Sequence, residues 1–318
     1  MSESKDKNRS VQWIEIEEGY EGQRLDNFLI TFLKGVPKSY IYRIVRKGEV
    51  RINKGRIKIN YRLQVGDLLR IPPLRLPDEK ERVQPGDVVK RRLERSVLYE
   101  DQRFMVINKP SGIAVHGGSG LDFGVIEALR VLRPEEKNLE LVHRLDRDTS
   151  GCLLISKKRS ALRILHELMR DNGMDKRYLA LLAGANNWKS RMVDAPLLKN
   201  TMRGGERVVR VDTAGKVAKT HFRRQRLYAD ATLVEARLYT GRTHQIRVHA
   251  ASLGHPVLGD QKYGDEYANK MMRKRGLRRL FLHASRLSFR WPDEKEDFVI
   301  TAPLDSELEK LLDKLTDV

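Results

Sequence analysis

The spacing of hydrophobic residues predicts a small helical unit near the start of the chain. The apolar positions in 25–33 recur every three or four residues, as on one face of a helix, and Gly35 and Pro37 then break the pattern. A second helix is predicted with Ile41, Ile44 and Val45 on one face and Gly48 as its C-cap. Short strands are predicted at 13–16 before these helices and at 49–53, 56–59 and 68–71 after them.

Prolines separate this unit from the rest of the chain. Pro72, Pro73, Pro77 and Pro85 lie in a stretch of mixed charge with little apolar periodicity. We therefore predict a tail and short strand at 1–21, a first domain at 22–82, a linker at 83–95 and a second domain at 96–318.

The second domain combines strands and helices without regular alternation. Strands are predicted at 97–99, 104–107, 152–155, 178–183, 220–226, 231–239 and 281–289, and helices at 125–132, 161–170, 243–253 and 306–315. We expect the strands at 220–226 and 231–239 to pair in antiparallel fashion. Because strands do not alternate regularly with helices, the fold class predicted is α+β rather than a doubly wound sheet.

Net charge indicates the kind of partner. The chain carries a formal charge of +19 at pH 7, and residues 22–72 hold 12 lysines and arginines against 3 acidic residues. Such a field attracts polyanions, most often nucleic acid. A membrane surface is the weaker alternative, since no basic amphipathic helix stands apart from the globular pattern. The cations predicted to contact RNA, rather than merely to solvate a surface, are Lys38, Arg43, Arg46, Lys47 and Arg51.

The single cysteine is typical of a reducing compartment. Cys152 excludes an intramolecular disulfide and a cysteine-based zinc site, and its apolar surroundings predict a core side chain. The N-terminus lacks the apolar core of a signal peptide, and no apolar run approaches the roughly 20 residues that span a bilayer. We expect a cytoplasmic protein.

One run points to an active site. His143 to Gly151, HRLDRDTSG, contains small residues that imply a tight turn and leads into the apolar strand at 152–155. A carboxylate at the mouth of a strand, with histidine and arginine just before it, favours catalysis over packing. Asp148 is the competing carboxylate of this run, but two residues along a turn it should point elsewhere.

Other catalytic signatures are mostly missing from the sequence. There is no phosphate-binding Walker sequence, no GxGxxG fingerprint and no HExxH. His116-Gly117-Gly118 lacks an accompanying GxSxG elbow, so a serine hydrolase is disfavoured. His244 and His249 are five residues apart with no adjacent carboxylate, which makes a metal site weak. We expect no metal and no cofactor.

Several blocks, in order, resemble one enzyme family. They are NKPSG at 108–112, HRLDRDTSG at 143–151, KRY at 176–178, GRTHQIRVH at 241–249, LGD at 258–260 with YG at 263–264, and LHA at 282–284. Together they resemble the RluA-type RNA pseudouridine synthases over about 97–303. The segments GQRLD at 22–26, 39–46 and GEVRIN at 48–53 resemble the S4-like (αL) RNA-binding domain, a fold of two helices followed by a small sheet.

The resemblance implies an activity and a set of site residues. The implied catalytic domain has a mixed, largely antiparallel sheet, and the reaction converts uridine in RNA to pseudouridine without redox chemistry. Asp146 would be the catalytic aspartate, acting either by covalent attack or by abstracting a sugar proton. Arg247 would be its salt-bridge partner, stabilising the ionised carboxylate and fixing its orientation. Tyr178 would stack on the target base and handle a proton at C5.

Further roles follow from the same resemblance. Leu282 would form an apolar wall, and Arg144 would fill the space that the flipped base leaves. His143 would support the turn, Arg147 would contact phosphate, and Asn108-Lys109-Pro110 would be either a structural turn or an RNA contact. The charge of the tract at 270–279, and not the resemblance, leaves two alternatives for it: a solvated surface or an RNA contact.

The expected substrate is large-subunit (23S) ribosomal RNA or its precursor particle, acted on by a monomer. Two alternatives remain from the sequence: a tRNA-directed synthase, and a noncatalytic RNA-binding or ribosome-assembly factor. A binding protein does not require the Asp146 carboxylate, which argues against the second alternative.

Overall fold

The computed structural model describes residues 10–33, 36, 38–74, 85–117, 123–203 and 206–318, without the side chains of 200–203, 206 and 207. The chain forms two compact units, Met1–Val83 and Gln84–Val318. The predicted helix breakers Gly35 and Pro37, Pro77, and the first two residues of the predicted linker, 83 and 84, lie outside the described residues.

The first unit packs two helices against a small sheet. Its elements are β1 (Gln12–Glu15), a short 3-10 turn (Glu18–Tyr20), α1 (Leu25–Phe32), α2 (Lys38–Arg46), β2 (Arg51–Ile52), β3 (Gly55–Arg56) and β4 (Leu68–Ile71). The sheet order is β1-β4-β2-β3, and every pairing is antiparallel. Ile41, Ile44 and Val45 are buried in one core with the apolar face of α1, as the periodicity predicts.

Two local predictions in this unit can be compared with the structure: the glycine cap at the end of α2 and the strand predicted at 56–59. Gly48 has a positive φ of 72° and donates its N–H to Val45, so the predicted glycine cap is confirmed. The strand predicted at 56–59 is wrong beyond Arg56. Asp26 and Leu25 instead donate their N–H groups to Ile59 and Tyr61, so this segment bonds to the start of α1 and not to a strand.

The second unit is built around one large sheet. Its strands are β5 (Val97–Glu100), β6 (Phe104–Lys109), β7 (Glu140–Leu141), β8 (Ser150–Ser156), β9 (Met174–Ala183), β10 (Ser190–Asp194), β11 (Leu197–Arg203), β12 (Glu206–Val211), β13 (Lys219–Leu227), β14 (Ala231–Leu238), β15 (Leu282–Arg290) and β16 (Asp297–Thr301). Its helices are α3 (Asp87–Glu94), α4 (Val125–Leu132), α5 (Arg159–Arg170), α6 (Gln245–Ser252), α7 (Glu266–Lys274) and α8 (Ser306–Asp313).

The predicted α+β class is confirmed. The 10-stranded sheet runs β10-β13-β14-β9-β15-β8-β6-β5, with β16 beside β15 and β7 beside β8. Its pairings are antiparallel except β8 with β15, and β13 pairs with β14 as predicted. The β11–β12 hairpin forms a separate two-stranded sheet.

Several elements were not predicted. Residues 87–94, inside the predicted linker, form α3, whose Leu93 is fully buried in the large core. The strands at 190–194, 197–203 and 206–211 are rich in charged residues, so their apolar alternation is too weak to mark them. The helix α7 carries the basic tract, and its charges hide its apolar face.

The sheet brings the sequence motifs together. β8 follows the Asp146 turn, β9 carries Tyr178, and β15 carries Leu282; β15 lies between the other two. Gly151 has a φ of 106°, and a Cβ there would lie 2.2 Å from the Ala284 carbonyl oxygen. Only glycine allows β8 and β15 to approach this closely directly after the turn.

Candidate active site

Asp146 begins a tight turn at the start of β8. The Thr149 N–H donates to the Asp146 carbonyl at 3.2 Å, which closes the turn. The side chain of Asp146 is 19% exposed, so it faces a cavity rather than open solvent. The carboxylate is therefore held at the mouth of a buried strand, as the sequence predicts.

The NKPSG segment holds this turn from the other side. Lys109 is fully buried, and its Nζ donates to the carbonyls of Pro110, Ile113 and Arg147 at 2.6–2.9 Å. Ser111 Oγ donates to the Asp148 carbonyl at 2.7 Å, and the Gly112 N–H donates to the Arg147 carbonyl at 2.9 Å. Of the two alternatives for this segment, these contacts favour a structural turn. Burial lowers the pKa of Lys109 to about 7.

Arg247 is bound by two carboxylates. Its NH1 donates to Asp146 Oδ2 at 3.4 Å, and its Nε and NH2 donate to the two oxygens of Asp260 at 2.7 and 2.8 Å. Asp260 is completely buried and also accepts the N–H groups of Lys262 and Tyr263. The bidentate pair with Asp260 thus fixes the guanidinium, which then presents one edge to Asp146.

The predicted base-pocket residues line one cavity with Asp146. Two adjoining recesses, of about 440 and 80 Å³, share Asp146, Arg144 and Arg247. The smaller recess is also lined by Tyr178 and Leu282, which are 7% and 4% exposed. We call the two recesses together the catalytic cavity; the five side chains predicted for catalysis and base binding all reach it.

His244 also faces this cavity. Its Nε2 lies 3.9 Å from Asp146 Oδ2, and its Nδ1 lies 2.7 Å from the Tyr263 hydroxyl. That hydroxyl accepts the Val209 N–H at 3.0 Å, so its own proton is directed to Nδ1. This pattern assigns the imidazole proton to Nε2, on the side of Asp146. His244 holds this place with a left-handed φ of 54°, a conformation that costs a non-glycine residue about 1 kcal/mol.

Electrostatics separate the titratable groups of the cavity. Burial raises the pKa of Tyr178 well above its usual range, and the nearby Asp146 adds to the shift, so the phenol stays protonated. Burial lowers the pKa of His244, which keeps the imidazole neutral. Burial alone would lower the pKa of Arg247, but the hydrogen bonds and charge of Asp260 outweigh it and raise it. A protonated phenol, a neutral imidazole and a fixed cation therefore surround Asp146.

His143 supports the turn as predicted from the sequence. Its Nε2 accepts the Leu154 N–H at 3.1 Å, which requires an unprotonated nitrogen. Burial, with the nearby Lys176 charge, lowers the pKa of His143 to about 4.

This shift predicts acid sensitivity. Between pH 6.5 and about 4 the unfolded chain binds a proton at His143 that the folded chain does not, so the free energy of unfolding falls as pH falls, by up to about 3 kcal/mol. Urea unfolding of wild type and His143→Gln at pH 7 and pH 4.5 measures it. We expect the variant to lose less stability over this interval than wild type. An equal loss in both proteins would contradict the prediction.

The cations predicted to bind RNA lie on the first unit. All of them are exposed on or beside α2, opposite its buried face: Lys38, Arg43, Arg46, Lys47 and Arg51. Arg43 lies over the Tyr40 ring at 4.5 Å, and Arg51 Nε donates to the Gly48 carbonyl at 3.1 Å. These contacts leave a one-signed, solvent-facing surface.

Other candidates from the sequence are placed less centrally. Asp148 is half exposed, pairs with Arg147 and also lines the larger recess around Asp146. Cys152 is buried in the core, and burial raises its pKa to about 12. His249 bonds Thr220 and the Ala195 carbonyl, so it does not share a site with His244.

The basic tract at 270–279 divides into two sets. Arg275 and Arg279 form ion pairs with Asp230 and Asp305. The remaining cations are exposed on α7 or directly after it: Lys270, Arg273, Lys274 and Arg278. Among the described residues, no group of three or more metal-ligating side chains is present. No helix in the described part of the chain is both long and apolar enough to cross a membrane.

Sequence reasoning missed three residues of the site. Asp260 and Tyr263 lie in the LGD and YG blocks, but nothing in a linear sequence pairs them with Arg247 and His244. The left-handed backbone at His244, which is what points its ring at Asp146, is likewise invisible before folding. The signal available in the sequence was that all three residues belong to blocks that carry the family resemblance: LGD at 258–260, YG at 263–264 and GRTHQIRVH at 241–249.

Comparisons of the sequence and of the structure with known proteins point to the same family. A family model described as RNA pseudouridylate synthase matches residues 103–252, and an S4 domain model matches residues 23–69. Ribosomal large subunit pseudouridine synthase C of Pasteurella multocida is 54% identical over 100% of this chain and 98% of its own. The protein of the same name from Escherichia coli K12 is 55% identical over 96% of this chain and 97% of its own.

Two solved structures share the fold. Human RNA pseudouridylate synthase domain containing 4 is 28% identical with a TM-score of 0.60, over 71% of this chain and 95% of that chain. Human RNA pseudouridylate synthase domain containing 1 is 26% identical with a TM-score of 0.59, over 74% and 92%. These matches bear out the expected fold and the resemblance on which the site residues rest.

Proposed function

Since this chain belongs to the RNA pseudouridylate synthase family and carries an S4 domain, we propose that it isomerises uridines of large-subunit (23S) ribosomal RNA in the catalytic cavity around Asp146. The observation that carries the proposal is the carboxylate of Asp146, partly buried and backed by the fixed guanidinium of Arg247. The relatives named above, more than half identical over nearly their whole length, support ribosomal RNA as the substrate.

Asp146 is the catalytic residue in this proposal. The reaction breaks the C1′–N1 bond, turns the uracil and joins C5 to C1′, so no atom is gained or lost. An ionised carboxylate can attack the substrate or take a proton from the sugar, and both need its charge. Arg247 supplies the opposite charge from one side, and the Nε2–H of His244 lies on another.

Tyr178 and Leu282 form the base-binding wall. Uracil has a flat π-face, and a buried phenol ring beside an apolar side chain offers it a stacking surface. Because its pKa is raised, the Tyr178 hydroxyl stays a proton donor and acceptor next to the reacting base. Exposed Arg144 lies at the cavity rim, where its planar guanidinium would stack in the gap that the flipped base leaves.

The first unit holds RNA through its phosphates. We expect Arg43, Arg46 and Lys47, replaced together by alanine, to reduce the slope of log Kd against log salt by about 2, because each phosphate contact contributes roughly 0.7–0.9. Fluorescence anisotropy with a labelled ribosomal RNA fragment measures the slope. The matched control replaces three exposed cations of the second unit: Arg191, Arg290 and Lys295. If both triple variants had the same slope of log Kd against log salt, the first unit would not be the part of the chain that binds RNA phosphates.

Release of tritium from 5-tritiated uridine tests the function. C5 loses its hydrogen when it bonds to C1′, so each isomerisation frees one label. We expect wild type to release tritium from transcribed large-subunit ribosomal RNA and from its precursor particle, without added metal or cofactor. Release from tRNA alone would keep the chemistry and overturn the substrate. Binding without release from any RNA would indicate a noncatalytic RNA-binding factor.

Two further properties belong to this proposal. The single buried thiol and the ribosomal RNA substrate support a cytoplasmic location. We also propose that the protein acts as a monomer.

A further inference from the structure

A second cavity adjoins the catalytic cavity. It has a volume of about 600 Å³ and shares Arg147, Asp148, Gly259 and Leu280 with the larger catalytic recess. We call it the flank groove. Both volumes are in the range of small-molecule sites. Because the two cavities share this wall, an RNA strand with one base beside Asp146 can continue into the flank groove.

The far wall of the flank groove contains a rigidly held arginine. The Arg279 side chain is 11% exposed and pairs with Asp305. Its NH2 donates to Ser150 Oγ at 2.6 Å and its Nε to the Leu280 carbonyl at 3.2 Å. Burial lowers the pKa of Arg279, although the nearby carboxylates of Asp305 and Glu307 oppose the shift.

A buried polar chain fixes the position of Arg279. Ser150 Oγ lies 2.8 Å from His283 Nδ1, and His283 Nε2 lies 3.0 Å from the Ala302 carbonyl. A carbonyl can only accept, so Nε2 carries the proton and Nδ1 accepts from Ser150. Ser150 Oγ is then free to accept from Arg279. Neither Ser150 nor His283 lines the catalytic cavity, but together they hold the Arg279 guanidinium in the wall of the flank groove.

Two more cations at the flank groove are not neutralised. Arg92 and Arg278 are exposed, and neither makes an ion pair with another residue in the described part of the chain. The same groove is lined by the Gln261 amide and by the carboxylates of Asp305 and Glu307, and Glu307 accepts the Arg278 N–H at 2.8 Å. Arginines beside hydrogen-bond acceptors fit a nucleotide, because its phosphate can bind the arginines and the N–H groups of its base edge can donate to the acceptors. A simple anion would be repelled by the carboxylates and could not donate a hydrogen bond to them.

We propose that the flank groove binds the nucleotide adjacent to the target uridine, with its phosphate held by Arg92 and Arg278 and its base edge against Gln261 and Asp305. The proposal rests on the function proposed above, since it requires an RNA strand in the catalytic cavity. Arg279 is a positioning residue that keeps Asp305 in place. The groove makes the enzyme sensitive to the residue beside its target and not only to uridine itself.

Single neutral linkages test this contact. Synthetic RNA stem-loops carry one methylphosphonate at a time, at each of the two linkages on either side of a 5-tritiated target uridine. Wild type, Arg92→Ala, Arg278→Ala and the exposed control Arg290→Ala are compared by kcat/KM and kcat. We expect each groove variant to lower kcat/KM about 10-fold on unmodified RNA, mainly through KM. A methylphosphonate at the one linkage that contacts the groove should lower the wild-type kcat/KM by a similar factor.

The decisive readout is the combination. On RNA neutral at that linkage, the groove variants should lose little more than wild type does, because the contact is already absent. Arg290→Ala should lose nothing on any substrate. Full additivity of the variant and linkage effects at all positions, or unchanged kcat/KM in both groove variants, would overturn the groove. No tritium release by wild type from any RNA would instead overturn the proposed function.

Discussion

Replacing Asp146 by asparagine should abolish measurable pseudouridine formation. The variant keeps the size of the side chain and one acceptor oxygen but removes the charge that either proposed catalytic role requires. We expect the single-turnover rate of tritium release to fall by about 10²–10⁴-fold, the contribution typical of a positioned acid–base group. RNA affinity and the free energy of unfolding should change little, because the carboxylate is not part of the core.

Asp148→Asn is the matched control for that experiment. It lies two residues away on the same turn, its side chain is 46% exposed, and within the described part of the chain its one ion pair is with the exposed Arg147. At saturating RNA its single-turnover rate should stay within a few-fold of wild type. A rate above a tenth of wild type in Asp146→Asn, or an equal loss in Asp148→Asn, would contradict the role of Asp146.

Replacing Asp260 by alanine should produce the largest loss of stability. Arg247 is 10% exposed and forms its short bidentate pair with Asp260, whose side chain is completely buried. Removing this partner leaves a buried guanidinium with one long contact to Asp146, and breaking a buried pair from one side costs about 3–5 kcal/mol. Urea unfolding measures the change. Asp297→Ala, which breaks the exposed pair with Arg290, should cost at most about 1 kcal/mol.

A double variant separates stability from catalysis at this pair. Arg247→Leu combined with Asp260→Asn removes both buried charges, an exchange that is often neutral or stabilising, and keeps an oxygen at 260 that accepts the Lys262 and Tyr263 N–H groups. We expect it to recover most of the stability that Asp260→Ala loses while remaining inactive, because Asp146 then lacks its cation. A loss below about 1 kcal/mol in Asp260→Ala would show that the pair is not a structural support.

The reach of the sequence is clearest at the Asp146 turn. Small residues, a carboxylate and a following apolar run predicted a turn before a buried strand. The fold class followed from similar local patterns, and the family followed from the resemblance of several sequence blocks to known enzymes. Helices such as 125–132 were predicted at their observed bounds because their apolar spacing is strong. The predictions failed where charge masks periodicity, as in α3 and α7, which bury only one residue each.

By itself, therefore, the sequence determined the elements with strong periodicity, the charge of the first unit and the identity of Asp146, Tyr178 and Arg247 as candidates. The tertiary structure alone decided that Asp260, not Asp146, is the closer partner of Arg247, and that Lys109 holds the turn. It also decided that His244 faces Asp146. The physical reason is that these contacts join segments up to 101 residues apart, whereas sequence patterns report only the local periodicity that packing rewards within one element.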